Sequence, residues 1–320
     1  MCDPQAQVKL LPRLARQYAQ RELPAWGRVL DAIGIRDASR WQNAGHIKAR
    51  GKWHNYELDL DLANWSDRFV YFVGRHSDLP SQLALRTLLA PDETLIDIGA
   101  NIGLMTLLGA SAVGSKGRVI CFEPNPVVVE RLRANVRDNN LSWVTIHDCA
   151  LAEQEAVMQL SVVDNACGCG TLRALDPREK QNVTQQASVQ VKVGDKVLSE
   201  FIAAHKQTPT PTTLKIDVEG YEIHALSGLT DFFEIVQPAV LFEADDAYLK
   251  NAGGSSRELL EFFWSKGYST GELDLAKAGM GTYNLTIAPV TTVPAKAHAN
   301  MVAWTQSSPH AARLSQFLQV

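Results

Sequence analysis

The chain has 320 residues, a formal net charge of −4 and 46% hydrophobic residues, enough apolar material for one large core with an accessory region or for two modest domains. The near-neutral balance leaves no electrostatic footprint for nucleic acid, no apolar run reaches the ~18 residues of a membrane span, and "MCDPQAQVKLLPRLARQYAQ" lacks the apolar stretch of a secretory signal. Five cysteines, an odd number in a chain of this size, point away from a disulfide framework and towards a reducing cytoplasm.

In chain order, residues 8–34 place Leu11, Leu14, Tyr18, Leu23, Trp26 and Leu30 at helical spacing, predicting one or two amphipathic helices. Residues 47–73 turn to alternation. Tyr56, Leu58, Leu60 and Leu62 form one run and Phe69, Tyr71 and Val73 another, a pattern of strands or a hairpin. A helix is expected over 79–89. From residue 94 strands and helices take turns. "TLIDIG" precedes a helix at 102–112, and "RVICFE" precedes "NPVVVERLRANVRDNN", where Asn125 suits an N-cap and Pro126 the first helical position. "VTIHDCAL" is a third short strand, and 156–193 alternates as strands flanking the loop "DNACGCGTL". "TTLKIDVEG" is a fourth central strand with a helix at 221–229, and "PAVLFEADD" a fifth, followed by the helix "SRELLEFFWSKG". Late strands are expected at 268–274, 283–288 and 300–305. This alternation implies an α/β fold, a mostly parallel sheet with helices on both faces.

The turn after the first central strand reads Gly99-Ala100-Asn101-Ile102-Gly103. A dinucleotide fingerprint has a glycine where Asn101 stands, so that the backbone can approach a pyrophosphate. A side chain there obstructs a diphosphate but leaves room for a nucleoside with a short amino-acid tail. Asp97, two residues before Gly99, repels an anion and suits an ammonium or sulfonium group. Glu123 ends the next strand, 20 residues after Gly103, where an acid is placed to accept both ribose hydroxyls. Its Pro124 and Asn125 neighbours belong to the same loop. Asp148, followed by Cys149, ends the third strand, where an acceptor for an adenine amino group would stand. The ligand implied by these strand ends together is S-adenosylmethionine.

With "DIGANIG", "FEPNP" and "LKIDVEGYE" in this order, the chain resembles the FkbM family of S-adenosylmethionine-dependent methyltransferases, from about Gly51 to Asp246. The resemblance implies a seven-stranded, Rossmann-like class I methyltransferase fold and O-methylation, often of a sugar or polyketide hydroxyl. It maps the cofactor motif onto Asp97, Gly99, Ala100, Asn101 and Gly103, the ribose acid onto Glu123, and the late motif onto Lys215, Asp217, Glu219, Gly220 and Glu222. Many members carry an aromatic–Glu pair after the glycine matching Gly74, where this chain has "RHSD". The organisation expected is an N-terminal helical extension over 1–46, a methyltransferase domain over 47–306 and a tail over 307–320. Within the domain, 47–90 is a leading hairpin and helix and 91–250 the cofactor-binding core.

If the fourth strand runs through "LKIDVEG", Lys215, Asp217 and Glu219 share one face, and Leu214, Ile216 and Val218 the other. Charges on a central strand are costly unless paired or placed at a cleft, and ligands bind at the carboxyl ends of such strands. Asp217 is therefore the first candidate for base or positioning group, with Glu219 and Glu222 next, and Lys215 reads as a salt-bridge partner. Methyl transfer from a sulfonium is an in-line displacement, so the protein must align the acceptor oxygen and take its proton. Glu243, Asp245 and Asp246 on "LFEADD" together with Asp217 offer oxygen ligands for Mg²⁺, a weaker reading than a site without metal.

Other residues favour bland roles. His224 reads as structural. Cys167 and Cys169 lack the second pair that a zinc site needs. The aromatic-rich 52–74 stretch suits strand packing better than glycan stacking, and Arg75, His76 and Asp78 stand where they could line the cofactor pocket. The N-terminal helices suit a lid or packing role, with a homodimer surface as the alternative. The partner expected is a small-molecule or glycan acceptor. The rival functions are a non-catalytic S-adenosylmethionine-binding module and a methyltransferase for another acceptor class. Base N-methylation usually brings an Asn/Asp-Pro-Pro-aromatic run after the fourth strand, and "IDVEGYE" stands there instead.

Overall fold

The computed structural model describes residues 10–163, 170–279, 282–293 and 298–319. Its main sheet has eight strands: β1 (Thr94–Ile98), β2 (Arg118–Phe122), β3 (Val144–His147), β4 (Thr212–Ile216), β5 (Ala239–Asp245), β6 (Ser269–Lys277), β7 (Tyr283–Val290) and β8 (His298–Trp304). Their order across the sheet is β7-β6-β8-β5-β4-β1-β2-β3. The five strands from β5 to β3 are parallel, and β8 joins the β5 edge antiparallel. The α/β architecture expected from the sequence is present. The sheet carries one strand beyond seven because β6 turns back into β7 as an antiparallel pair.

Alternation along these strands feeds two cores. Leu95, Val119, Cys121 and Leu241 pack to one side with the helices Leu79–Leu88, Leu104–Val113 and Pro126–Asp138. Ile96, Ile120, Leu214 and Phe242 pack to the other with Glu222–Ser227, Thr230–Val236 and Ser256–Ser265. Both faces of the parallel strands are thus covered, as their continuous apolar composition requires. Asn125 caps its helix as expected, accepting from Val127 N at 3.0 Å, with Pro126 at the first position.

The 47–73 region divides differently from its hydrophobic pattern. His46–Arg50 and Glu57–Asp61 form the hairpin, but Phe69, Tyr71 and Val73 lie on a helix, Trp65–Val73. Asn64 starts it by accepting from Ser66 N and Asp67 N, and Gly74, at φ 82°, ends it. The cap decides because seven of the nine residues are buried, which hides any polar face that would mark the helical period.

Ala150–Ala152, Ala156–Val163, Gly170–Thr171 and Val183–Val193 build a separate four-stranded sheet, with Ala156–Val163 antiparallel to Val183–Val193. Cys167 and Cys169 lie outside the described residues. The N-terminal helices Leu10–Gln20 and Trp26–Ala32 bury Ala19 and Leu30 in the first core. The helix Pro309–Ser315 packs back with Leu314 buried and Arg313 paired to Glu93. Among the described residues no helix is long and apolar enough to cross a membrane.

Candidate active site

A cavity of about 490 Å³ opens over the carboxyl ends of β1, β2, β4 and β5, the position that this topology offers to ligands. Its first side is the turn after β1. Gly99 at φ 80°, Asn101 at φ 51° and Gly103 at φ 98° bend the chain sharply into the next helix. A Cβ on Gly99 would stand 1.9 Å from the Asp217 carbonyl oxygen, so only glycine lets the two loops close on each other.

Glu123 follows β2 and lies against this turn. One carboxylate oxygen accepts from Asn101 N and the other from Asn125 N, both at 2.9 Å. Burial raises its pKa to about 7, against those two N–H donors. Each oxygen keeps acceptor capacity, and the residue lines the cavity beside Gly99, Ala100, Asn101, Pro124 and Cys149.

Beneath the turn, Asp97 is fully buried and does not reach the cavity wall. It accepts from Thr106 Oγ1 at 2.6 Å and lies 3.4 Å from Lys215 Nζ. This corrects the expectation that Asp97 faces a cationic ligand, because its charge is answered inside the protein. Lys215 Nζ donates to the Gly99 carbonyl at 2.7 Å and lies 3.6 Å from Asp217. Burial works against the ammonium, yet Asp97 and Asp217 outweigh it and hold the group above the ordinary lysine range. The salt-bridge reading of Lys215 describes this geometry.

β4 stops at Ile216, so the strand face shared by Lys215, Asp217 and Glu219 is not continuous. Glu219 at φ 56° and Gly220 at φ 99° curl the segment into a loop. Asp217 and Glu219 still line the cavity. Glu222 does not. It lies beneath the loop and accepts from Val218 N at 3.0 Å and Gly220 N at 3.2 Å. Burial lifts its pKa to about 7. The structure therefore gives Glu222 the role of loop support rather than reacting group.

Three more expected residues stand off the wall. Gly103 opens the helix behind the turn, where a Cβ would meet Leu132 Cδ1 at 2.7 Å. Asn125 is spent on its cap and on the backbone contact to Glu123. Asp148 points outward, 64% exposed, with Arg133 Nη2 at 3.1 Å, and so does not offer its carboxylate to the cavity. Cys149, buried with its thiol pushed up to about 11, takes that stretch of wall instead.

On the far side, Glu243 and Asp245 stand where the sequence pointed, but His298 and Asn300 carry no local signal. β8 pairs with β5 so that Asn300 lies opposite Glu243 and His298 opposite Asp245. His298 Nδ1 is 3.2 Å from Glu243 Oε1 and 3.5 Å from Asp245 Oδ2. Burial, followed by the charges of Asp217, Glu219, Glu222 and Asp245, raises Glu243 to about 9. His76, Ser77 and Asp78 close the third side, with Asn300 Nδ2 donating to Asp78 Oδ1 at 3.1 Å. Arg75 turns away to Glu22, 3.0 Å distant. His224 contacts Glu153 and the Ala252 carbonyl and stacks on Tyr221, in keeping with its structural reading. Among the described residues, no three His, Cys, Asp or Glu side chains converge as a metal set, and the Mg²⁺ reading gains no support.

The lining thus holds seven carboxylate side chains, those of Asp67, Asp78, Glu123, Asp217, Glu219, Glu243 and Asp245, against one lysine. Asp67 is answered by Arg131 at 2.5 Å. Such a lining favours a cationic ligand and opposes a diphosphate.

The model of the methyltransferase FkbM domain matches residues 97–270, more than half of the chain. "Methyltransferase 1" of Beauveria bassiana is 30% identical over 189 residues, covering 56% of this chain and 74% of its own. "Hexuronic acid methyltransferase AglP" of Haloferax volcanii is 28% identical over 145 residues, covering 45% of this chain and 53% of its own. A solved structure described as methyltransferase FkbM from Methylobacillus flagellatus has 15% identity and a TM-score of 0.39, covering 86% of this chain and 59% of that one. The matched segment contains the glycine turn, Glu123 and the Lys215–Glu222 loop, and on it the chain belongs to the FkbM family of methyltransferases.

Proposed function

We propose that this chain is an S-adenosylmethionine-dependent O-methyltransferase, acting on a hydroxyl of a sugar, glycan or secondary metabolite. The observation that carries the reading is Glu123, fixed by two backbone N–H groups at one end of an acid-rich cavity. A carboxylate so held accepts from a ribose diol, while the glycine turn leaves space for the sugar beside it. The acidic lining suits the sulfonium and ammonium charges of the methionine tail. Residues 99–101, Glu123, Pro124 and Cys149 would hold the nucleoside part, and Asp217 and Glu219 would meet the tail and the acceptor. When bound, S-adenosylmethionine supplies an electrophilic methyl group on sulfur. The residues of the chain then have two tasks, to align the acceptor oxygen and to receive its proton. The relative named as a hexuronic acid methyltransferase is in keeping with a sugar acceptor.

The test is calorimetry on the full chain with S-adenosylhomocysteine and with NADH in parallel. Binding of the first and none of the second is expected, and tight NADH binding would overturn the assignment. Mass spectrometry of cell extracts incubated with a labelled methyl donor then identifies the acceptor, and absence of any labelled product would favour a binding module without catalysis.

A further inference from the structure

We infer that Glu243 and His298 act together as the proton acceptor for the substrate hydroxyl, an assignment that rests on the O-methyl transfer proposed above. Strand order sets the first argument. Glu123 follows β2, the glycine turn follows β1, Asp217 follows β4, Glu243 lies near the end of β5, and His298 begins β8. Neighbouring strands are ~4.8 Å apart, so the cavity runs from the ribose carboxylate across the glycine turn to the β5–β8 edge. The nucleoside and its tail occupy the β2–β1–β4 portion, which leaves the β5–β8 portion for the acceptor.

The second argument is the chemistry gathered there. His298 directs Nδ1 at Glu243 and Asp245, at 3.2 and 3.5 Å, and is 52% exposed at the cavity wall. With Nδ1–H turned to the carboxylates, Nε2 is the nitrogen that accepts a proton. Asp217 is a weaker choice, since Lys215 already answers part of its charge at 3.6 Å. The groups that bear on Glu243 are Asp217 and Glu219 from the loop after β4, Glu222 from the next helix, Asp245 from its own strand and His298 from β8.

In the step itself, the acceptor oxygen forms a bond to the methyl carbon while its proton passes to His298 Nε2. The S–CH₃ bond breaks and its electron pair stays on sulfur, leaving a neutral thioether. The imidazolium that forms lies against Glu243 and Asp245, whose charges stabilise it.

The experiment compares wild type, His298→Gln and Glu243→Gln as full chains in three readouts. Calorimetry with S-adenosylhomocysteine reports the donor end, and both variants should bind within twofold of wild type. Transfer of a labelled methyl group from S-adenosylmethionine into a small-molecule extract of the source cells should fall at least ~100-fold for His298→Gln. For Glu243→Gln it should fall about tenfold. Nitrogen-15 NMR of the histidine side chains needs no acceptor, and there the His298 Nδ1 resonance should shift in Glu243→Gln, because the group facing that nitrogen has changed. An unmoved Nδ1 resonance, or unchanged transfer by His298→Gln, overturns the assignment. Failure of wild type to bind S-adenosylhomocysteine would instead strike the donor reading, with the Nδ1 resonance still judging the pair.

Discussion

At the glycine-turn end of the cavity, carboxylates are answered by groups the fold itself provides. Glu123 takes two backbone N–H groups, and Asp97 takes Thr106 and Lys215. At the β5–β8 end, Glu243 instead faces the carboxylates of Asp217, Glu219, Glu222 and Asp245, with His298 beside it. The first end is an electrostatic cradle whose hydrogen bonds are made within the fold. The second holds concentrated negative charge that favours an arriving cation and a mobile proton. A transferase that must grip one molecule and deprotonate another gains from both arrangements in one cavity.

Breaking the cradle should have the largest effect. Lys215→Met leaves Asp97 buried without its cation and should cost about 3–5 kcal/mol of stability, read from urea unfolding. A loss below ~1 kcal/mol would mean that Asp97 is answered by other means. Next comes Glu123→Ala, which removes the proposed ribose acceptor and should weaken S-adenosylhomocysteine binding by about 30-fold, ~2 kcal/mol, with the fold retained. Because the Glu123 pKa is raised to about 7, its carboxylate predominates only above that pH. Wild-type affinity should therefore climb as pH rises through about 7 and then level off, whereas the Ala variant should lack that rise.

Glu222 sharpens the comparison by sitting under the loop rather than in the cavity. Both its hydrogen bonds fall on one oxygen, which a glutamine reproduces. Glu222→Ala should cost about 1–2 kcal/mol, while Glu222→Gln should stay within ~0.5 kcal/mol of wild type at pH 5. The folded pKa, raised to about 7 from 4.5, means that this group's contribution to stability is full below 4.5 and is lost as pH rises through 7. Glu222→Gln removes that loss and should be the more stable protein at pH 8 by thermal unfolding. The smallest effect belongs to Asp148→Ala. An exposed carboxylate paired with Arg133 contributes less than about 0.5 kcal/mol, and S-adenosylhomocysteine affinity should not move by more than twofold. A tenfold loss would return Asp148 to the binding site.

Much of the fold is legible in local signals. The cap Asn125, its following Pro126 and the alternating strands set the α/β order, because each acts within a few residues of itself. The turn at Gly99–Gly103 is equally local, since positive φ there demands its glycines. Legibility fails where burial erases the pattern, as in Trp65–Val73, whose apolar residues face core nearly all round. It fails again where a strand ends early. Alternation places Glu219 beside Lys215 and Asp217, but β4 stops at Ile216 and a left-handed loop re-aims the residues beyond it.

By itself, then, the sequence determined the parallel core, the glycine turn and the acid that follows β2, since spacing along one strand–turn–helix unit specifies each of them. Only the tertiary structure decided which acids face the cavity. Asp97 and Glu222 are turned inward, Asp148 outward, and Glu243 meets His298 across an antiparallel pairing of residues more than fifty positions apart. Such pairing is fixed by the global packing of the sheet, and the short-range periodicities of a chain contain no record of it.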